Sequence, residues 1–553
     1  MPSDMMDLPL DAWLMFGHAE THFADVEIVS AWSDGRVERS TFGDFARRAQ
    51  QLMHGLDALG IGTTSPVGTL AWNSARHLEA YFGVPCTGRV LHTLNLRLSP
   101  EELAFVVDDA GDEAVIVDAD LVPLLEKARA AGGLSGVRHV IVMAKDVPDA
   151  DLPGLISYEE LISTQPASYE RRAIDERQPL GICYTSGTTG RPKGVVYTHR
   201  STVLHTLVVA GGSAFSIGPS DCVLPVVPMF HANAWGMPYA ATMVGAKQVF
   251  LGGSLDCSLL VDLFVNEDVT VAAGVPTVWL EVADELDRRD VPLPALRHIV
   301  SGGAQPPRAL IARLRDRGIP LLQGWGMTET SPLASVAWPK HAMRDWDGER
   351  VLDEASCQAG LPLPTVDLSI RSDDSDDELP WDGEAMGRLL VRGPYVVDGY
   401  LHGRGTEQFV GPREGEGDVG WFATGDVAVG TPGGYFRIAD RTKDLIKSGG
   451  EWISSVDMEA ALMALPDVAE AAVVAVPDPK WLERPLACVV LRAGGSLDLD
   501  RVKEHLLEAG FAKWQLPDRV EVIDAIPRTS VGKFDKKVLR ARFADAAGTE
   551  GSA

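Results

Sequence analysis

From Tyr184 to Gly194 the chain reads Tyr-Thr-Ser-Gly-Thr-Thr-Gly-Arg-Pro-Lys-Gly, packing three glycines, four aliphatic hydroxyls and two cations into eleven residues. Glycine lets a main chain approach a ligand closely and take positive φ, while hydroxyls, backbone N–H groups and Lys193 all donate hydrogen bonds. The stretch therefore reads as a loop that wraps a polyphosphate. It is not a Walker A loop, in which Lys follows the last glycine and Ser or Thr then opens a helix. Here Arg191 and Pro192 intervene and a strand pattern follows. The plain alternative is a flexible Gly/Thr turn.

Three further stretches carry residue types suited to chemistry. Gln323-Gly324-Trp325-Gly326-Met327-Thr328-Glu329 ends a strand pattern in an aromatic between glycines, followed by an acid among hydroxyls. Such an aromatic can stack on a purine, and a carboxylate amid threonines suits magnesium, which takes one or two carboxylates plus substrate phosphates. His298–Ala304 ends another strand pattern in Gly302 and Gly303. Strand ends that open into glycine-rich loops are where open α/β sheets place ligands. Phe230, His231 and Trp235 follow an apolar strand; they read equally as the wall of a pocket for an apolar substrate or as a core aromatic cluster with a satisfied histidine.

The elements that must position these stretches alternate between strand and helix. Thr41 caps a helix with Phe42, Phe45, Ala49, Leu52, Met53 and Leu56 on its apolar face. Ser99-Pro100-Glu101-Glu102 is a capping box for a helix stopping at Gly111, and Ala114–Val117 is a buried strand. This alternation predicts an α/β fold with helix-covered sheets. Residues 145–175 are polar and aperiodic and read as connecting structure. From Gly387 to the hairpin at Gly433-Gly434 the pattern is β-rich, while the acidic run 372–378 reads as a solvated loop. A boundary at about residue 441 separates a large domain, 1–440, from a compact α+β domain, 441–545, with 546–553 as a disordered tail. In the small domain Ser454 or Ser455 caps a helix with Val456, Ala460 and Met463 on its apolar side.

At 553 residues the chain exceeds one ordinary core. Its net charge of −28 argues against non-specific nucleic-acid binding and against an anionic membrane surface. An anionic substrate such as ATP then needs a local basic site and a divalent cation. Six scattered cysteines without a C-x-x-C pair indicate reduced thiols rather than a disulfide framework or zinc site. The start lacks a signal-peptide pattern and no apolar run is long enough to span a bilayer, so a cytoplasmic location is expected.

Taken together, residues 185–194, Gly324–Glu329, Thr424-Gly425-Asp426, Arg441–Gly450 and Pro527–Lys533 make the chain resemble the adenylate-forming superfamily: acyl-CoA synthetases, adenylation domains and luciferase. The resemblance covers about residues 10–545. Pro228–Trp235, Lys447–Ser455 and Phe511–Pro517 make it most similar to bacterial medium- and long-chain fatty acyl-CoA synthetases.

The resemblance implies a large adenylate-forming domain and a smaller mobile one. It also implies two half-reactions: a carboxylate attacks the α-phosphorus of ATP, and coenzyme A thiol then displaces AMP. The implied catalytic set is Lys533, Glu329, Thr328 and His231, with Lys533 bridging the attacking carboxylate and the α-phosphate. Thr185 and Glu329 would hold Mg2+. Thr185, Ser186, Gly187, Thr188, Thr189, Gly190 and Lys193 would grip the outgoing phosphates. Gly302, Gly303, Ala304, Gln323, Gly324, Trp325, Gly326, Met327 and Thr328 would cradle the adenine side. Asp426, a bidentate acceptor, would take the ribose hydroxyls with Arg441 beside it. Lys443, at the hinge, with Lys447, Trp452 and Trp235 would also reach the nucleotide. Gly449 and Gly450 would line the pantetheine tunnel, and Phe230, His231 and Trp235 the acyl pocket. A homodimer is the implied assembly. The Gly324–Glu329 segment departs from many members in having Trp325 where they have Tyr. Two alternatives stay within the superfamily: transfer to a carrier-protein thiol or amine, and activation of nitrite for an aryl amine. A non-catalytic nucleotide-binding protein is disfavoured because Lys533, Glu329 and Asp426 are all present.

Overall fold

Parallel pairing dominates the first 330 residues, as strand-helix alternation predicts. The computed structural model describes residues 5–544 apart from 186–190, 374, 413, 414, 416, 443, 449, 450, 479 and 529–533. In a seven-stranded sheet, Val90–Thr93 lies parallel between Pro66–Leu70 and Pro179–Thr185, and Lys193–Thr198 closes the edge as an antiparallel hairpin partner. In a nine-stranded sheet, Cys222–Pro225, Val271–Gly274, His298–Ser301 and Leu321–Gly326 run parallel in that order. Strands buried on both faces need apolar runs rather than alternation, and Ala114–Val117, Val271–Gly274 and His298–Ser301 are buried throughout.

Helices cover these sheets on the faces their sequences dictate. Phe42–Ala58 starts at the Thr41–Asp44 capping box and buries Phe42, Phe45, Ala49, Leu52, Met53 and Leu56. Each such large side chain is worth about 1.5–3 kcal/mol on burial. Pro100–Ala110 starts at the Ser99–Glu102 capping box and stops at Gly111, whose φ of 75° a side chain would resist. The two sheets are joined at their carboxyl ends by Asn73. Its amide donates to Pro225 O and Val227 O, both at 3.0 Å, and accepts from Met229 N–H at 2.6 Å. The loop bearing Phe230 and His231 is thereby pinned between the sheets.

The β-rich part is a five-stranded sheet in which Trp421–Gly430 pairs with Met386–Arg392, Phe409–Val410 and Phe436–Arg441. In the C-terminal region a further five-stranded sheet packs Val468–Asp478 against Leu482–Leu491, with Ser455–Met463 and Leu499–Glu508 over it. The architecture is thus α/β, with a large multi-sheet domain and a smaller α+β one. No helix among the described residues is long and apolar enough to cross a membrane.

Three local expectations change. The stretch 145–175 contains the strand Leu155–Ser157 and the helix Tyr158–Ser163. Ser157 caps that helix and Tyr158 anchors it, its phenol donating to buried Glu79 at 2.6 Å. In Ser455–Met463 the buried face is Met458, Glu459 and Leu462, not Val456, Ala460 and Met463. Glu459 can face inward because Lys536 meets it at 2.7 Å. Lys536 opens a last helix, Lys536–Ala544, that the sequence pattern did not reveal.

Candidate active site

The phosphate-type loop sits at the tip of a hairpin whose last cross-strand pair is Thr185–Lys193. Residues Ser186, Gly187, Thr188, Thr189 and Gly190 lie outside the described residues, but their supports do not. Tyr184 donates to Asp109 at 2.7 Å, and Arg404 donates to the same carboxylate at 2.8 Å. Burial alone would raise the Asp109 carboxyl, yet Arg404 and Tyr184 hold it below the usual range. On the other strand, Tyr197 donates to Thr328 O at 2.8 Å, fastening the hairpin to the turn that carries Glu329.

Lys193 and Glu329 meet at a residue the sequence reading passed over. Tyr400 donates its hydroxyl to Glu329 Oε1 at 2.6 Å, and the Lys193 ammonium lies 4.8 Å from the Tyr400 ring centroid. Lys193 also donates to Gln408 Oε1 at 2.9 Å. Burial, then the Glu329 charge, pushes the Tyr400 phenol well above its ordinary range, so it remains a donor. Asp398-Gly399 before it signalled only a turn, and nothing in the sequence pairs positions 71 residues apart.

The purine-side stretches converge at the carboxyl ends of neighbouring parallel strands, Gly274, Ser301 and Gln323. Gly302 is held there by space: a Cβ would lie 2.9 Å from the Trp235 ring and 3.0 Å from Gly324 O. Gly326 is tighter still, since a Cβ would meet Pro332 O at 1.9 Å. Gln323 keeps its side-chain Oε1 buried and without a partner among the described residues, an acceptor that seeks a donor. Trp325 donates to Asp426 Oδ2 at 3.0 Å, and Arg441 holds Asp426 Oδ1 at 2.7 Å. Trp325 is buried and edge-on to Phe436, with ring centroids 5.6 Å apart.

The aromatic trio divides. Phe230 and His231 line one small cavity with Tyr184 and Thr185. Trp235 is absent from that lining and packs with Trp325 in the core cluster against Gly302. Trp235 sits in the tight turn Ala232–Gly236, whose residues take φ between 43° and 76°.

Among the described residues no cluster of three or more acidic, His or Cys side chains could hold a metal. A buried carboxylate, Glu329, beside a hydroxyl-rich hairpin nevertheless fits Mg2+, a hard cation that keeps waters and takes its remaining oxygens from phosphates. Lys443, Gly449, Gly450 and Lys533 lie outside the described residues. Lys447 and Trp452 are backbone register partners in the strands Ile446–Ser448 and Glu451–Ile453.

The family model for the AMP-binding enzyme matches residues 17–401, and that for the AMP-binding enzyme C-terminal domain matches 457–533. The chain belongs to the AMP-binding enzyme family. Among relatives in this family, a long-chain-fatty-acid–CoA ligase of Thermus thermophilus is 47% identical over 98% of this chain and 97% of its own. A 3-methylmercaptopropionyl-CoA ligase of Ruegeria lacuscaerulensis is 41% identical over 99% of both chains. Among solved structures, that of the anthranilate CoA ligase AuaEII in complex with anthranoyl-AMP matches with a TM-score of 0.85 and 25% identity, covering 98% of this chain and 99% of that one.

Proposed function

We propose that the protein is an ATP-dependent acid–CoA ligase that activates an aliphatic carboxylic acid, of fatty-acid type, as an acyl-adenylate. The observation that carries this reading is the convergence of the Thr185–Lys193 hairpin on Glu329 through Tyr400 and Tyr197. Full-length similarity to two CoA ligases supports the acceptor.

In the first half-reaction a carboxylate oxygen of the acid bonds to the α-phosphorus, the bond to the β-phosphate bridging oxygen breaks, and pyrophosphate leaves. Two anions must approach, so cations are needed where charge builds. Lys533 supplies one between the carboxylate and the α-phosphate, and Lys193 holds the departing phosphates with residues 185–190. Glu329 and Thr185 would hold Mg2+, which when bound supplies Lewis-acid polarisation of the phosphates. Asp426 accepts the ribose hydroxyls, its geometry set by Trp325 and Arg441. Gln323 and Gly302–Gly324 flank the adenine, with Thr328 and Met327 completing the turn. In the second half-reaction the thiolate sulfur attacks the acyl carbon, the bond to the AMP oxygen breaks, and the thiol proton goes to solvent.

The division at about residue 441 then separates two bodies, with Lys443 as the hinge. Gly449 and Gly450 line the thiol's approach and Phe230 and His231 the acid's. The enzyme works as a cytoplasmic homodimer.

Acid-dependent ATP–pyrophosphate exchange across a panel of aliphatic, aryl and thioether acids, followed by CoA addition, tests this reading. Exchange with an aliphatic acid and a thioester product is expected. Exchange without thioester would transfer the reading to another acceptor, and no exchange with any acid would end it.

A further inference from the structure

Behind the phosphate hairpin lies a buried pair that the proposed chemistry does not use. His92, in the strand Val90–Thr93, turns Nδ1 toward both oxygens of Asp112 at 2.9 and 3.0 Å. Both side chains are completely buried. The pair is built into the sheet: a Cβ at Gly68 would lie 2.9 Å from Asp112 Oδ2, so that strand keeps a glycine where the carboxylate sits. A carboxylate can only accept, so Asp112 takes the proton on His92 Nδ1 and leaves Nε2 to find its own partner. Nε2 is buried and has no partner among the described residues. Buried polar atoms are satisfied in native proteins by protein or by ordered water.

His92 lines a small, partly open cavity together with Asn95, Tyr184, Thr185, Phe230 and His231. The space admits about one water molecule. Of the ionisable neighbours, Tyr184 spends its hydroxyl on Asp109 at 2.7 Å. The occupant must be small, must hydrogen-bond Nε2, and must satisfy polar groups of the same lining, which includes Thr185 at the start of the phosphate loop. Water meets all three requirements.

The geometry points to a resident water held between His92 Nε2 and Thr185, with His92 and Asp112 as positioning residues for the phosphate hairpin. The pair acts through the water: it sets where Thr185 places its hydroxyl and so how tightly the loop grips the phosphates of ATP. This rests on residues 185–194 being the phosphate loop.

The test uses the full-length enzyme in ATP–pyrophosphate exchange. His92→Phe fills the ring's place without an acceptor, and KM for ATP should rise about tenfold, the scale of a lost outer hydrogen bond at a ligand site. KM for the acid should move little, while the melting temperature should fall, because Asp112 is left buried without its partner. His92→Gln, whose amide end reaches the Nε2 position, should restore most of the ATP affinity. An unchanged KM for ATP in His92→Phe overturns the proposal, as does His92→Gln matching His92→Phe. Should His92→Phe fail to fold, Asp112→Asn takes its place, with a smaller rise in the same parameter expected and none counting against it. A crystal structure of the wild type resolving waters decides the site itself. A water within hydrogen-bond reach of both His92 Nε2 and Thr185 supports it, and an empty cavity refutes it. Wild-type enzyme lacking exchange with every acid would sink the ligase reading, while the crystallographic water would still judge the site.

Discussion

Trp325 and Asp426 are joined by an indole N–H to carboxylate hydrogen bond of 3.0 Å, across 101 residues and between two different sheets. Arg441 takes the other oxygen at 2.7 Å, so the carboxylate is oriented from both sides before any ligand arrives. The indole is therefore more than a flat face for a purine. A tyrosine at this position would be shorter and would present its donor elsewhere, so Trp325 changes how Asp426 is held.

Trp325→Phe keeps an aromatic ring and removes the donor. A hydrogen bond to a charged group contributes about 1.5–3 kcal/mol, so AMP should bind roughly ten- to hundredfold more weakly. Isothermal titration with AMP measures this directly. Unchanged affinity would mean that Arg441 alone orients Asp426.

Tyr400→Phe deletes the hydroxyl that donates to Glu329 Oε1 at 2.6 Å while leaving the ring under Lys193. The exchange reaction should then need several-fold more Mg2+ for half-maximal rate, with KM for the acid unmoved. A magnesium titration at saturating acid checks it; superimposable curves would detach Tyr400 from the metal-binding role given to Glu329.

Lys533→Ala should abolish adenylate formation yet largely spare thioester formation from a supplied acyl-adenylate. The two half-reactions, assayed separately, distinguish this from a general defect. Equal loss in both would contradict a lysine that serves only the first.

Lys536 is buried between Glu459, 2.7 Å away, and Ser455, and burial raises Glu459 while Lys536 pulls it down. Removing one partner of a buried ion pair costs about 3–5 kcal/mol. Lys536→Met should lower the urea midpoint accordingly, and the double variant Lys536→Met/Glu459→Leu should regain much of the loss. Equal midpoints for single and double variants would show that the pairing is not what Lys536 contributes.

His205 sets an acid limit on stability. Burial lowers its pKa to about 3, and its Nε2 must accept from Leu333 N–H at 3.2 Å, so the ring is neutral when folded. Unfolded, its pKa is about 6.5. Below that value the unfolded chain binds a proton the folded one refuses, so stability falls as pH drops from about 6.5 toward 3, by at most about 1.4 kcal/mol per pH unit. Urea unfolding at pH 7.5 and 5.5 should show this slope, shallower in His205→Gln. Parallel slopes would place the acid sensitivity in other buried histidines, such as His77 and His199, which burial lowers to about 4.

Much of the scaffold was legible because its signals are local. The Thr41 and Ser99 capping boxes, the apolar run Ala114–Val117 and the glycine-flanked strand ends each declare themselves within a few residues. The helix Tyr158–Ser163 escaped because its anchor, Glu79, lies 79 residues from Tyr158. The buried face of Ser455–Met463 was misread because apolar periodicity assigns Glu459 to solvent, and only Lys536 on a later helix makes its burial tolerable.

By itself, the sequence determined the chemistry on offer: a donor-rich hairpin loop, an acid among threonines at 329, an aromatic between glycines at 325, and family membership through motifs spread along the chain. Those are properties of residue type and short spacing. Tertiary structure alone decided partnership. It gave Asp426 to Trp325, Glu329 to Tyr400 and Asp112 to His92, and it set Trp235 against Gly302. Such pairings depend on which strand ends the sheets bring side by side and on left-handed turns such as 232–236, and no local pattern encodes either.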